Sequence, residues 1–231
     1  MVKICLAGFG KMNREVYAAL QSESELEVVA ILDPSAENEK TKVYRNAQEA
    51  FASADVVIDF STREACTANA LVAAEMGKNL VIGTTGLTGQ ELEQIRTAIA
   101  KHNTSGVISA NFSIGVNVFI EAAKFLHNRL EGYNLEMVDV HHTQKKDLPS
   151  GTALRTLAAL GKTQEQVPIH SLRIGDVIGD HTLVFGGNSE RIELTHRATS
   201  RRCFAQGALL SAKWVTGKRD GLLHDFREVL K

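Results

Sequence analysis

From His141 to Ala153 the chain reads HHTQKKDLPSGTA, with two histidines and two lysines just ahead of a Pro-Ser-Gly-Thr turn. Histidine titrates near neutral pH and a neighbouring lysine adds a second proton and a positive field, so His141 and Lys145 are candidate proton-transfer groups. Pro149 ends the loop, and Ser150-Gly151-Thr152 opens a helical segment running from Ala153 to Leu160. Exposed N–H groups at a helix start, with a threonine hydroxyl beside them, form a cradle for a carboxylate or phosphate. Taken alone, the same residues also fit a solvated basic loop followed by an ordinary capped helix. Adjacent histidines with no carboxylate or thiolate nearby have poor metal-ligand spacing, so no metal is expected. Ser150 lacks the surroundings of an elbow-type nucleophile.

A second constellation lies at the start. Gly8-Phe9-Gly10 falls between a strand-like run and a helical pattern, where a dinucleotide pyrophosphate would meet backbone N–H groups at a helix N-terminus. The third glycine position of the usual motif holds Asn13, so an ordinary tight strand-to-helix turn remains an alternative. Asp33 closes the second strand-like run, where a carboxylate can accept hydrogen bonds from the adenosine ribose hydroxyls and repel a 2′-phosphate. That favours NADH, with Lys11 able to offset part of the repulsion and admit NADPH. Asp59-Phe60-Ser61 and Gly83-Thr84-Thr85-Gly86 follow further strand-like runs and would line the same edge.

The elements that must position these residues come in two rhythms. Val2–Ala7, Leu26–Asp33, Asp55–Phe60, Asn79–Gly83 and Gly106–Ala110 read as strands, and helical patterns such as Arg63–Gly77 and Thr88–His102 separate them. Alternation of that kind implies a Rossmann-like parallel sheet. After Asn111 the pattern becomes a long helix (about Val116–Leu130), a strand reaching His142, a helix after Gly151, and strand-like runs at Leu172–Val177, Thr182–Phe185 and Arg191–Arg197. Gly179-Asp180 and Gly187-Asn188 read as hairpin turns, giving an α+β part with a mixed, largely antiparallel sheet. A strand ending at His142 would send His141 and His142 to opposite faces. In Arg191–Arg197, Ile192, Leu194 and His196 alternate with polar residues, so one face packs on helices while the polar face is free for subunit contact. Cys203–Thr216 and Leu222–Leu230 read as helices returning to the first part. The expected domains are 1–112 with 208–231, and 113–207.

The chain has 231 residues, enough for a sizeable core, and its 26 Lys plus Arg nearly balance 27 Asp plus Glu. Neither a nucleic acid nor a membrane surface is therefore expected as a partner, and any cationic site must be local. Three scattered cysteines, Cys5, Cys66 and Cys203, fit small hydrophobes in a reducing, cytoplasmic setting. MVKICLAGFG reads as a first strand and not a signal peptide, and no apolar run approaches the roughly 20 residues of a membrane helix.

With these residues in view, the chain resembles the 4-hydroxy-tetrahydrodipicolinate reductase family, also called dihydrodipicolinate reductase. Its signature His-His-x-x-Lys-x-Asp-x-Pro-Ser-Gly-Thr-Ala stands here as HHTQKKDLPSGTA, and AGFGKM, DFS, GTTG, ANFSIGVN and ERIELTHRATSRRCFAQGAL occur in order around it. The resemblance implies a nucleotide-binding domain joined to a substrate and tetramerisation domain, with the active site between them. It implies that Gly8, Phe9, Gly10, Lys11, Met12 and Asn13 meet the pyrophosphate and Asp33 the ribose. Gly83, Thr84 and Thr85 would lie by the nicotinamide, as would Ser109, Ala110, Asn111 and Phe112. His141 would be the acid and base residue and Lys145 the second proton donor, while His142, Ser150, Gly151 and Thr152 hold a small dicarboxylate heterocycle. The implied reaction is hydride transfer to ring C4 after loss of the 4-hydroxyl as water, by a homotetramer. A nucleotide-sensing module without turnover and a dehydrogenase for another dicarboxylate are the alternatives. The intact His141/Lys145 pair speaks against the first and the Pro-Ser-Gly-Thr cradle against the second. His196 reads as a packed strand histidine, and His102, His127, His170, His181 and His224 carry no assigned role.

Overall fold

The computed structural model describes residues 1–38 and 40–231. The chain divides into two compact units, Met1–Phe112 with Phe204–Lys231, and Ser113–Cys203. The second junction falls four residues before 208, because Ala205 already belongs to the core of the first unit.

Unit 1 contains β1 (Val2–Ala7), α1 (Lys11–Leu20), β2 (Leu26–Leu32), β3 (Val43–Tyr44), α2 (Ala47–Phe51), β4 (Val56–Asp59), α3 (Arg63–Glu75), β5 (Asn79–Ile82), α4 (Gly89–Lys101) and β6 (Gly106–Ile108). Its strands pair parallel in the order β11-β6-β5-β4-β1-β2-β3, where β11 is Leu223–Asp225 near the C-terminus. Chain direction across the sheet reverses between β1 and β4, and an open α/β sheet binds its ligand at the carboxyl edge of such a switch point. Strand alternation sends Ile4, Leu6, Ile58 and Val81 to one core and Cys5, Ala7, Val57 and Leu80 to the other. Cys5 and Cys66 are both buried as small hydrophobes, and burial pushes the Cys5 thiol up to about 12. Thr88 caps α4 in a reciprocal box with Glu91, so the Thr-x-x-Glu spacing starts that helix. The segment 222–230, expected to be wholly helical, begins instead as β11 and only then forms the short α8 (Phe226–Val229). Pairing of β11 with β6 at Leu223–Gly106 satisfies the edge of the sheet and overrides the local helical pattern.

Unit 2 contains α5 (Ile114–His127), β7 (Asn134–His141), α6 (Gly151–Ala159), β8 (Ile169–Arg173), β9 (Gly179–Gly186) and β10 (Arg191–Ala198), and α7 (Arg202–Val215) follows and runs into unit 1. The sheet order is β10-β9-β7-β8, with β8 parallel to β7 and the other pairs antiparallel. Gly187-Asn188 does lie in the hairpin between β9 and β10. Gly179-Asp180 does not form a turn: both residues are inside β9, Gly179 opposite Ala198 and Asp180 opposite Arg197. The strand before it starts at Ile169 and joins β7 on the far side, so residues 174–178 form a crossover. On the covered face, Met137, Leu183 and Phe185 pack with Val116, Phe119 and Ile120 of α5 and Ala153 and Leu157 of α6.

Candidate active site

In unit 1, β1 ends at Ala7 and Gly8 turns the chain with φ +76°, a region that a side chain makes costly. A Cβ there would also sit 2.8 Å from Ser61 Cα, so the glycine is needed for both conformation and space. Gly10 is the N-cap of α1 without a side-chain cap, and nothing lies within 4 Å of where its Cβ would be. That leaves an open, uncapped helix start, which suits a pyrophosphate. A cleft of about 540 Å³ beside it is lined by Gly8, Phe9, Gly10, Asp33, Arg45 and Ser61, among others. Asp33 Oδ2 accepts the Phe9 N–H at 2.7 Å, and Oδ1 accepts from Ser35 N at 2.9 Å and Ala36 N at 2.8 Å. Burial alone would raise its pKa, but these N–H donors outweigh that and hold the carboxyl below its usual range. The residues therefore fit a dinucleotide, with the Asp33 carboxylate already oriented at the end of β2.

The turn departs from expectation at Asn13. Its side chain is fully buried, and Nδ2 donates to the carbonyls of Ala7 at 2.9 Å and Gly8 at 2.6 Å. It ties the turn together from inside through these two carbonyls, and this amide nitrogen is turned inward. Lys11 is exposed and Met12 half-buried. Two cations that the linear sequence did not single out stand here as well. Arg14 Nε bonds the Phe9 carbonyl at 3.2 Å, and Arg45 Nη2 bonds the Ala36 carbonyl at 3.1 Å while Nη1 bonds that of Asp33. Arg45 is twelve residues from Asp33 and reaches it only because β3 pairs with β2.

The Asp59-Phe60-Ser61 and Gly83-Thr84-Thr85 loops are fastened to each other. Asp59, almost fully buried, accepts from Thr84 Oγ1 at 2.8 Å, Ser61 Oγ at 2.7 Å and Asn69 Nδ2 at 2.9 Å. The Thr84 hydroxyl is thus spent inside the edge, whereas Thr85 is exposed. Gly83 accommodates the Phe60 ring, whose Cε1 would lie 2.0 Å from a Cβ. Ser109 Oγ donates to the Asn111 carbonyl at 2.8 Å, and Ala110 is exposed. Phe112 is a core residue, 1% exposed and packed at a tilt against Phe226 at a ring distance of 5.0 Å, so its side chain is not presented as a ligand contact.

In unit 2 the catalytic candidates meet a group that the sequence reading left out. Asp139 and His141 alternate with outward Val138 and Val140, so both enter the covered face of the sheet. His142 is half-buried and lies just past the end of β7, which stops at His141 and so one residue before the expected strand end. Asp139 Oδ1 stands 3.0 Å from His141 Nδ1 and 3.5 Å from His181 Nε2 of β9. Oδ2 accepts from Ser150 N at 3.0 Å and Ser171 Oγ at 3.2 Å, with both terminal nitrogens of Arg173 at 3.4 Å. Burial would raise the pKa of Asp139, but His141 and Ser150, the strongest of its opposing partners, hold it well below the usual carboxylate range. Ser150 is buried: its hydroxyl caps α6 at Ala153 N, 3.2 Å away, and lies 3.3 Å from His181 Nε2. Its side chain faces the cluster. Gly151 is exposed at the first turn of α6, with Thr152 half-buried beside it. Lys145 Nζ pairs with Asp147 Oδ1 at 2.8 Å, while Lys146 is exposed.

The sequence by itself carries no signal for a role of His181. Only the register Asp139↔His181 puts it against the carboxylate. Burial, the largest cause, pushes its pKa down from 6.5 to about 4; Asp139 opposes the shift, and His141, His196 and Lys145 reinforce it. The folded chain therefore keeps this imidazole neutral where the unfolded chain protonates it. Stability is full above pH 6.5 and falls as pH drops towards 4, by about 3 kcal/mol at most. The Asp139 contribution is lost only below 3.8, outside that window. Urea unfolding of His181→Gln should show a shallower loss between pH 6.5 and 4 than the parent chain. An identical slope in the two would refute the assignment.

With this geometry in place, comparison with known proteins is informative. Residues 2–112 match the family described as Dihydrodipicolinate reductase, N-terminus, and residues 115–230 match Dihydrodipicolinate reductase, C-terminus. A protein of Methanocaldococcus jannaschii named 4-hydroxy-tetrahydrodipicolinate reductase is 35% identical, over 98% of this chain and 96% of its own length. One of the same name from Methanosarcina mazei is 44% identical over 73% of this chain and 70% of its own. The solved structure described as dipicolinate-bound dihydrodipicolinate reductase from Paenisporosarcina sp. TG-14 superposes with a TM-score of 0.87 over 99% of both chains at 23% identity, a likeness of fold.

Proposed function

Because the chain belongs to the dihydrodipicolinate reductase family, we propose that it reduces 4-hydroxy-tetrahydrodipicolinate to tetrahydrodipicolinate in diaminopimelate and lysine biosynthesis. The observation that carries this reading is the grouping, in one unit, of His141 and the α6 N-terminus around the buried Asp139 carboxylate, with Lys145 in the loop between them. A dianionic heterocycle needs local cations and N–H donors even on a chain with net charge −1.

In this reading the nucleotide is held by the Gly8–Lys11 turn and by Asp33, and bound reduced nicotinamide supplies the hydride. Asp33 favours a free ribose diol and hence NADH, while Lys11, Arg14 and Arg45 provide positive charge near the cleft that makes NADPH usable. His142, Gly151 and Thr152 hold the substrate carboxylates. The 4-hydroxyl leaves as water, and a hydride and one proton then add across the resulting unsaturation with hydride at C4. His141 and Lys145 are the groups that carry the protons. The outer face of the unit 2 sheet, with Leu172 exposed and Val138 and Val140 half-buried, is the surface through which copies of the chain form a tetramer.

The test is a coupled assay in which the preceding synthase makes the unstable substrate and loss of nicotinamide absorbance is followed. Oxidation of NADH at a higher kcat/KM than NADPH is expected. Absence of oxidation with either coenzyme would overturn the proposal.

A further inference from the structure

Proton-donating histidines work through one ring nitrogen, and the partner of the other nitrogen decides which one is presented. For His141 the neighbours of both ring nitrogens are defined. Its Nδ1 lies 3.0 Å from Asp139 Oδ1, and neither atom has a well-directed hydrogen bond among the described residues. Hydrogen bonds of this kind are commonly bent in the free enzyme and straighten when substrate is bound. The other acceptor sites of the carboxylate are filled by Ser150 N, Ser171 Oγ and Arg173 on Oδ2. His181 does not compete strongly for Oδ1, because its Nε2 is the farther nitrogen at 3.5 Å and also faces the Ser150 hydroxyl at 3.3 Å.

The opposite nitrogen has an equally definite neighbour. A Cβ placed on Gly179 would stand 2.9 Å from His141 Nε2, and its three nearest neighbours all belong to the His141 ring. Gly179 is a strand residue without a positive φ, paired with Ala198, so conformation does not call for a glycine. The absent side chain leaves room beside Nε2.

We propose that Asp139 and Gly179 are positioning residues for the proton donor: Asp139 fixes the Nδ1–H form of His141, and Gly179 keeps Nε2 open towards substrate. The inference rests on the reading of His141 as a proton-transfer group. Asp139, His141 and His181 also offer three ligand atoms within 4.8 Å of one another, the spacing of a metal site. Arg173, at 3.4 Å from Asp139 Oδ2, already neutralises the carboxylate and disfavours a dication there.

The experiment is a ¹⁵N NMR spectrum of the histidine rings of the full chain, with His141 identified by its loss in His141→Gln, beside steady-state kinetics. The parent chain should show His141 as the Nδ1–H tautomer when neutral. Asp139→Asn should shift the ring towards Nε2–H and lower kcat by about 10- to 100-fold, with NADH affinity unchanged. Asp139→Glu should recover part of that loss. Gly179→Ala should lower kcat/KM about 10-fold or more with the tautomer unchanged. An Nε2–H tautomer in the parent chain, or an Asp139→Asn protein with parental tautomer and kcat, would overturn the inference. So would loss of turnover on chelator treatment that zinc restores, which would make the cluster a metal site. If Asp139→Asn does not fold, the parental tautomer and Gly179→Ala still decide the matter. The spectrum needs no substrate, so failure of this inference is distinguishable from failure of the reductase reading.

Discussion

Lys145→Ala should lower kcat by about 10² to 10⁴, the range for one positioned proton-transfer group, which corresponds to about 3–5 kcal/mol of barrier. NADH affinity should be nearly intact, because the nucleotide contacts proposed here all lie in unit 1 whereas Lys145 belongs to unit 2. Lys145 is anchored by the 2.8 Å pair with Asp147, and its backbone N–H bonds the His142 carbonyl at 3.1 Å, so its position is set locally. Removing the side chain leaves Asp147 without its cation at the loop surface, where the carboxylate is half-exposed and can be rehydrated at little cost in stability. Lys146→Ala is the matched control, since it removes the same charge from an exposed neighbour. Steady-state kinetics with binding titrations of NADH would check the split. An equal loss of NADH affinity, or an equal effect from Lys146→Ala, would remove Lys145 from the chemistry.

The second large effect concerns stability. Gly207→Ala would place a methyl group 1.8 Å from the carbonyl oxygen of Phe112 and 2.9 Å from Phe226 Cζ. Gly207 sits in the middle of α7, in a stretch where Ala205, Ala208, Leu209 and Ala212 are all buried in the unit 1 core. The obstacle is backbone, which cannot swing aside as a side-chain tip can, so the helix and the Phe112 segment between β6 and α5 must separate in a close-packed interior. Overpacking of this kind costs about 3 kcal/mol. Intrinsic helix propensity favours alanine over glycine by about 1 kcal/mol, the opposite sign, so the direction of the result separates the two effects. Thermal unfolding should show a midpoint lowered by roughly 10 °C. A variant as stable as the parent would show that α7 does not lie this close to Phe112.

Much of this was legible from local patterns. The alternation of β-rich runs with helical segments in the first half leads directly to the parallel sheet, because central strands such as β4 and β5 are buried on both faces and read as short apolar runs. The Thr88 cap, the Ser150 cap and the Gly187-Asn188 hairpin were readable for the same reason: their hydrogen bonds close within a few residues. Where partners are distant the reading went astray. Gly179 reads as a turn glycine in the sequence, because sequence does not distinguish a glycine required by φ from one packed against an imidazole on the neighbouring strand. The last strand looked helical because β6, which captures it, ends more than a hundred residues earlier. Asn13 stood out as a missing glycine, yet its buried amide supplies the donors that close the turn.

For the site the division follows the same physics. His141, Lys145 and the Ser150-Gly151-Thr152 helix start lie within a dozen residues, and strand alternation with helix capping is enough to place their chemistry side by side. That much the chain determined alone. The tertiary structure decided what surrounds the imidazole: the Asp139 carboxylate on the same strand face, His181 brought against it by antiparallel register, and Gly179 opposite Nε2. It also showed that the HHTQKKDLPSGTA stretch is not a free basic loop, since Lys145 is paired and the Ser150 hydroxyl is turned inward. Contacts between strands depend on register, which is settled by packing a whole sheet face and not by any one residue's neighbours in the chain.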